Sequence, residues 1–103
     1  MTQENASKKT PKWLAVSDES AVISMVGAVE IGGVKVDKLT MRAPTVRDQR
    51  AANATAKGDY EQIEINMLCS LLMATEPEIA ALSLRNYNRL QAGYFRLVEE
   101  DEL

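Results

Sequence analysis

The sequence predicts an α+β fold: an N-terminal β-hairpin followed by about three α-helices in a single small domain. Three observations carry this expectation. Two runs of alternating apolar residues flank the pair Gly32-Gly33. After the second run comes Pro44-Thr45, with Asp48 three residues beyond the threonine. From there on, apolar residues recur at helical rather than strand spacing. The chain has 103 residues, enough for one modest core and no more.

Residues 1–20 read as a flexible polar arm, with Lys8, Lys9 and Lys12 around Pro11. Trp13 interrupts the polarity and is expected to dock on the domain itself. "AVISMVGAVEI", residues 21–31, reads as a strand. Gly32-Gly33 supplies a two-residue turn, because glycine reaches positive φ without steric cost. "VKVDKLTMR" returns as the second strand, pairing Ile31 with Val34 and Val29 with Val36. Its apolar phase slips at Asp37-Lys38: Val34 and Val36 are even, Leu39 and Met41 odd. One residue inserted there as a β-bulge would return Leu39 and Met41 to the buried face, and Gly27 lies roughly opposite.

Pro44 ends the ladder, since it has no N–H to donate. Thr45 is a good N-cap and Asp48 can reach back to it, so a helix is expected over 46–56, closed by Gly58. Asp59 can cap a second helix over 60–75, with Tyr60, Ile63, Met67, Leu71 and Ala74 on one stripe. Pro77 prevents its continuation. A short helical turn follows near 77–82. Ser83 then caps a last helix from 84 to about 100, striped by Leu84, Tyr87, Leu90, Tyr94 and Leu97 or Val98. The domain is thus drawn over 21–100, with an acidic tail at 101–103.

Inventory restricts the chemistry. The chain has no histidine and one cysteine, which leaves no Ser-His-Asp triad, no Cys-His pair and no zinc site of the usual kind. No enzymatic activity and no cofactor are therefore expected. Cys69 sits in the apolar run "INMLCSLLMA" and reads as a core residue. Glu61 and Glu64 read as a solvated helix face. Lys38, Arg42, Arg47 and Arg50 gather near the strand-to-helix junction without interleaved aromatics, so nucleic-acid binding is not expected. The net charge of −3 is unevenly spread: residues 1–58 hold nine Lys/Arg against six Asp/Glu, and residues 59–103 hold three against nine. Such a dipole favours head-to-tail association or a charged partner. No apolar run approaches the roughly 20 residues of a membrane helix, and the N-terminus has no signal-like apolar stretch, so a cytosolic location is expected.

"IGGVKVDKLTMRAPTVRDQ" resembles the front half of the tail assembly chaperones of E-type and Mu-like contractile-tailed phages. The shared features are Gly33, the run Leu39-Thr40-Met41-Arg42, Pro44-Thr45 and Asp48. "INMLCSLLMAT" and "IAALSLRNYNRL" are similar to the back half, so the likeness spans roughly residues 22–98. Where such proteins commonly carry an acid near Asn86 or Asn88, this chain has asparagine at both. The resemblance implies a non-enzymatic protein in the host cytoplasm. It would bind the tape-measure protein and keep it soluble until tube subunits polymerise around it. It also implies self-association or a frameshift-extended longer form as further partners. With composition, it points to Leu68, Leu71, Leu72, Met73, Tyr87 and Tyr94 as core or groove lining, and to Arg42, Arg47 and Arg50 as a polar rim. The rival expectations are a small virion structural or head–tail completion protein and a small DNA-binding regulator.

Overall fold

The computed structural model describes residues 10–99. Lys8, Lys9 and the acidic tail at 101–103 lie outside them. A three-stranded antiparallel sheet, β1 (Leu14–Val16), β2 (Ser20–Ile31) and β3 (Val34–Arg42), is followed by α1 (Val46–Ala56), α2 (Tyr60–Leu72), the short α3 (Glu76–Ala80) and α4 (Leu84–Val98). The strand order is β1-β2-β3. The fold is α+β, as the sequence predicts, with one strand more than the hairpin.

That strand is β1, and it corrects the expectation of an arm reaching residue 20. Leu14 pairs with Ile23 and Val16 with Ala21, and Leu14 is buried. A short loop joins β1 to β2, where the Ser17 hydroxyl accepts from the N–H groups of Glu19 and Ser20 at 3.3 and 3.2 Å. Three residues are too few to give a readable alternation, so only the tertiary pairing reveals the strand. Trp13 docks on its own domain: the Arg89 guanidinium lies 4.8 Å from the centre of its ring, a cation–π geometry.

The hairpin turn has positive φ at both glycines, 63° for Gly32 and 79° for Gly33, as a two-residue type I′ turn requires. Ile31 pairs with Val34 and Val29 with Val36, in the predicted register. The phase slip is real, but the extra residues lie on the other strand. Ser24 pairs with Lys38 and Val29 with Val36, so β2 passes through residues 25–28 while β3 passes through Asp37 alone. Gly27, at φ 78°, is part of this irregularity rather than room opposite it. The distortion needs a backbone conformation that glycine supplies and Asp37-Lys38 would resist.

A bulge leaves ladder groups without partners, and the side chain of Asn86 on α4 replaces them. Its Oδ1 accepts from the Val26 N–H at 2.7 Å, and its Nδ2 donates to the Val26 carbonyl at 3.2 Å. Asn86 is the one buried polar residue among those described, at 3% exposed. Arg89, one turn on, donates to the Ser24 carbonyl at 2.7 Å. Further along α4, Gly93 brings the helix backbone onto β2. A Cβ there would stand 2.8 Å from Ile23 Cδ1 and 3.6 Å from Leu14 Cδ1. So α4 lies over β1 and β2, while α2 covers β3 and α1 packs on α2. Between helices and sheet sits the core: Leu14, Ala21, Ile23, Met25, Leu39 and Met41 from the strands, and Ala52, Met67, Leu68, Leu71, Leu72, Ile79 and Leu90 from the helices.

The helix ends follow local chemistry. Thr45 and Asp48 form a capping box on α1, and Asp59 and Ser83 cap α2 and α4. Thr75 and Glu78 form a second capping box on α3. Two C-terminal expectations shift. Lys57 takes the left-handed cap position after α1, just before Gly58. Helix α2 stops at Leu72, not 75, because Met73 adopts φ 57°.

Two outcomes follow. Replacing Asn86 by Asp is expected to lower unfolding free energy by about 1–3 kcal/mol, since the carboxylate cannot donate to the Val26 carbonyl. That loss outweighs the roughly 0.3–1 kcal/mol that a negative charge gains in the first turn of α4. Asn88→Asp, at an exposed position, is expected to change stability by less than about 0.5 kcal/mol; urea melts of both variants check this. Replacing Gly93 by Ala should overpack the Ile23 contact at a cost of about 1–3 kcal/mol, against about 1 kcal/mol of helix propensity gained. Ile23→Val, which removes the colliding methyl, should therefore be less destabilising in the Gly93→Ala background than alone.

Candidate functional site

The helical layer does not close completely. Between α1, α2 and α4 lies an open cleft of about 170 Å³. Its floor is α2, through Ile63, Met67 and Leu68. One wall is α1 at Gln49, the other α4 at Gln91, Tyr94 and Phe95, with Tyr60 at the rim. Tyr60 is 86% exposed and Phe95 59% exposed. Tyr94 and Phe95 meet edge to face, with ring centroids 5.8 Å apart. Val46, 74% exposed, lies on α1 one turn before Gln49.

A polar bridge spans the cleft. Glu64 on α2 accepts from the Tyr87 hydroxyl and from Gln91 Nε2, both on α4; the second contact is 2.6 Å. Burial, reinforced by the Glu64 carboxylate, pushes the Tyr87 phenol above its ordinary value. Tyr87 therefore stays neutral and keeps donating across the physiological range. Glu64 thus joins α2 to α4, which corrects its reading as part of a solvated face; Glu61 is exposed as expected.

The residues singled out in the sequence divide. Leu68, Leu71 and Leu72 are 1, 2 and 7% exposed and belong to the core; only Leu68 also floors the cleft. Met73 is 85% exposed because the helix ends beneath it, and it does not line the cleft. Tyr94 lines the cleft, and Tyr87 supports it through Glu64. Tyr60, at the start of the apolar stripe of α2, stands at the rim. Phe95 was not singled out, because it falls beside the apolar stripe of α4 instead of on it. Its exposure beside an unfilled cleft is the signal, and this needs the relative placement of α2 and α4.

The arginines divide too. Arg42 is committed to a bidentate pair with Asp48, at 2.7 and 2.8 Å. That guanidinium, with the Thr45 N–H, holds the Asp48 carboxyl well below the usual carboxylate range. Arg47 and Arg50 project from α1 beside Val46 and Ala51, and neither forms an ion pair among the described residues. Cys69 is half-buried, and burial raises its thiol above the ordinary value, which disfavours the reactive thiolate. At the far end of the sheet, Glu78 accepts from the Thr75 and Gly32 N–H groups at 3.0 and 2.8 Å. These bonds hold its carboxyl below the ordinary pKa and tie α3 to the hairpin turn. Among the described residues, no three His, Cys, Asp or Glu side chains are placed to hold a metal ion. No described helix is long and apolar enough to cross a membrane.

The site is thus an apolar cleft with aromatic lips and an amide-carboxylate bridge, on a small α+β domain. A family model described as phage tail assembly chaperone proteins, E, or 41 or 14, matches residues 25–99. The match covers the distal hairpin and all four helices, and the chain belongs to that family. No curated protein and no solved structure matches the chain.

The pair at the strand-to-helix junction sets an acid response. A depressed carboxyl stabilises the folded state fully above its ordinary value, 3.8 for Asp48, and this contribution is lost as pH falls through the lower folded value. Asp48→Asn is therefore expected to lower the melting temperature at pH 7. Near pH 2 it should differ much less from the unsubstituted protein. Thermal melts at the two pH values check the sign.

Proposed function

We propose that this protein binds the tape-measure protein in the host cytoplasm and keeps it soluble while the tail tube assembles. Membership of the tail assembly chaperone family supports a role in tail assembly. The observation that supports a polypeptide client is the cleft at which Tyr60 and Phe95 stay exposed beside the buried Met67 and Leu68. Burying one such ring is worth about 1.5–3 kcal/mol, so a helix seated in the cleft would gain from both lips. The polar lining of Gln49, Glu64 and Gln91 limits the apolar gain, which suits a client that must be released. Catalysis has no part in this reading.

Co-expression with the tape-measure protein tests it. The tagged chain is expected to bring the client into the soluble fraction. Phe95→Asp and Tyr60→Asp, both at exposed positions, should abolish capture with circular dichroism unchanged. Leu72 is unsuited to this test, because a charge at a 7% exposed position would unfold the core. Capture that survives both substitutions would remove the cleft from the proposal. No capture by the unsubstituted protein would remove the client.

A further inference from the structure

The hairpin divides at its irregularity. From Ser20 to Ser24, β2 pairs with β3, and β1 lies on its other side at Ala21–Ile23. Beyond residues 25–28 the ladder resumes only from Val29–Val36 to Ile31–Val34, and β1 no longer runs beside it. A two-stranded ribbon of that size is marginal by itself in water. Its two links to the body of the sheet bend easily. On β2 stands Gly27, at φ 78° and with nothing within 4 Å of where a Cβ would be; on β3 stands Asp37 alone. Asn86 clamps Val26, one residue before Gly27, so the body ends at a fixed point and the ribbon begins beyond it. The ribbon is held at its inner face, where Val29, Ile31 and Val36 are half-buried against the core. It is held again at its tip: Glu78 accepts from the Gly32 N–H through Oε2 at 2.8 Å, while its Oε1 accepts from the Thr75 N–H at 3.0 Å. Between base and tip the packing is not closed. A groove of about 610 Å³ separates Val26, Val29 and Glu30 from Pro77, Ala81 and Leu82.

We infer that residues 29–36 form a hinged flap, which swings about Gly27-Ala28 and Asp37 and is latched shut by Glu78. A unit fastened by so few bonds opens at a lower free energy than the whole fold. The charged bond at its tip is the strongest polar contact to break. The latch sits on α3, a five-residue helix that packs on α2, so the flap opens with the body of the sheet, α2 and α4 in place. The open flap bares Val29, Ile31 and Val36, an apolar strip separate from the cleft. That this strip adds a second contact for a client rests on the reading proposed above; the hinge itself does not.

Amide hydrogen exchange of the full chain, followed by NMR with no client present, tests the inference. The Val29 and Val36 amides pair across the flap, and the Ile23 and Leu39 amides across the body of the sheet. The first two are expected to exchange through an opening at least about tenfold more populated than the one that frees the second two. Glu78→Gln leaves one acceptor oxygen where the carboxylate uses two. It should speed exchange at Val29 and Val36 by about tenfold, with Ile23 and Leu39 unchanged. Thr75→Ala removes the hydroxyl that accepts from the Glu78 N–H and should loosen the start of α3 without that effect. If all four amides exchange together, as in global unfolding, the hinge is overturned. Exchange indifferent to Glu78→Gln, or raised equally by Thr75→Ala, would overturn the latch. None of these results touches capture through Tyr60 and Phe95, which is read separately.

Discussion

The structure turns on the paired hydrogen bonds between the Asn86 side chain and the backbone of Val26. A central strand cannot carry several extra residues without leaving peptide groups unpaired, and an unpaired peptide group cut off from water costs about 1–3 kcal/mol. The amide of asparagine has a donor and an acceptor side by side, so one side chain substitutes for a missing stretch of neighbouring strand. Because that side chain belongs to α4, satisfying the bulge also fixes where the last helix lies. Arg89 on the Ser24 carbonyl and Gly93 against Ile23 continue the same seam. The position of α4 is therefore set by the sheet and only secondarily by α2. The gap between α2 and α4, bridged by Glu64, follows from that order of priority.

Much of this was legible because the signals are local. Gly32-Gly33, Thr45 with Asp48, Asp59 and Ser83 each act within a few residues, and each element begins where they place it. The register of Val29 and Ile31 follows from the two-residue turn alone. What could not be read depends on partners distant in the chain. The phase slip was visible in β3, but which strand holds the surplus depends on Asn86, sixty positions from Val26. Glu64 looked solvated because its partners, Tyr87 and Gln91, are on another helix. Strand β1 has only three residues, too few for a pattern. The exposure of Tyr60 and Phe95 was not legible for the same reason: helical periodicity tells which side of a helix is apolar, not how much of that side its neighbours cover.

Asparagine at 86 also shows how one position can serve two masters. An acidic residue there would complete a capping box with Ser83, since 86 is the third helical position of α4. Asparagine gives up the charge and keeps the donor. The helix start is left to the Ser83 hydroxyl, which accepts from the Asn86 N–H at 3.1 Å, while the freed amide secures the strand.

The division of the arginines bears on what the helical face can bind. Arg42 and Asp48 neutralise one another where β3 becomes α1, so the junction that looked basic in sequence contributes little net charge. The positive character that remains belongs to α1, at Arg47 and Arg50, beside Val46 and Ala51. Two cations beside exposed apolar side chains make a poor track for a phosphate backbone, whose affinity grows with the number of contacts. The placement of this face follows from the sheet: Asn86 and Gly93 hold α4 on β2, and Glu64 ties α4 to α2 across the cleft.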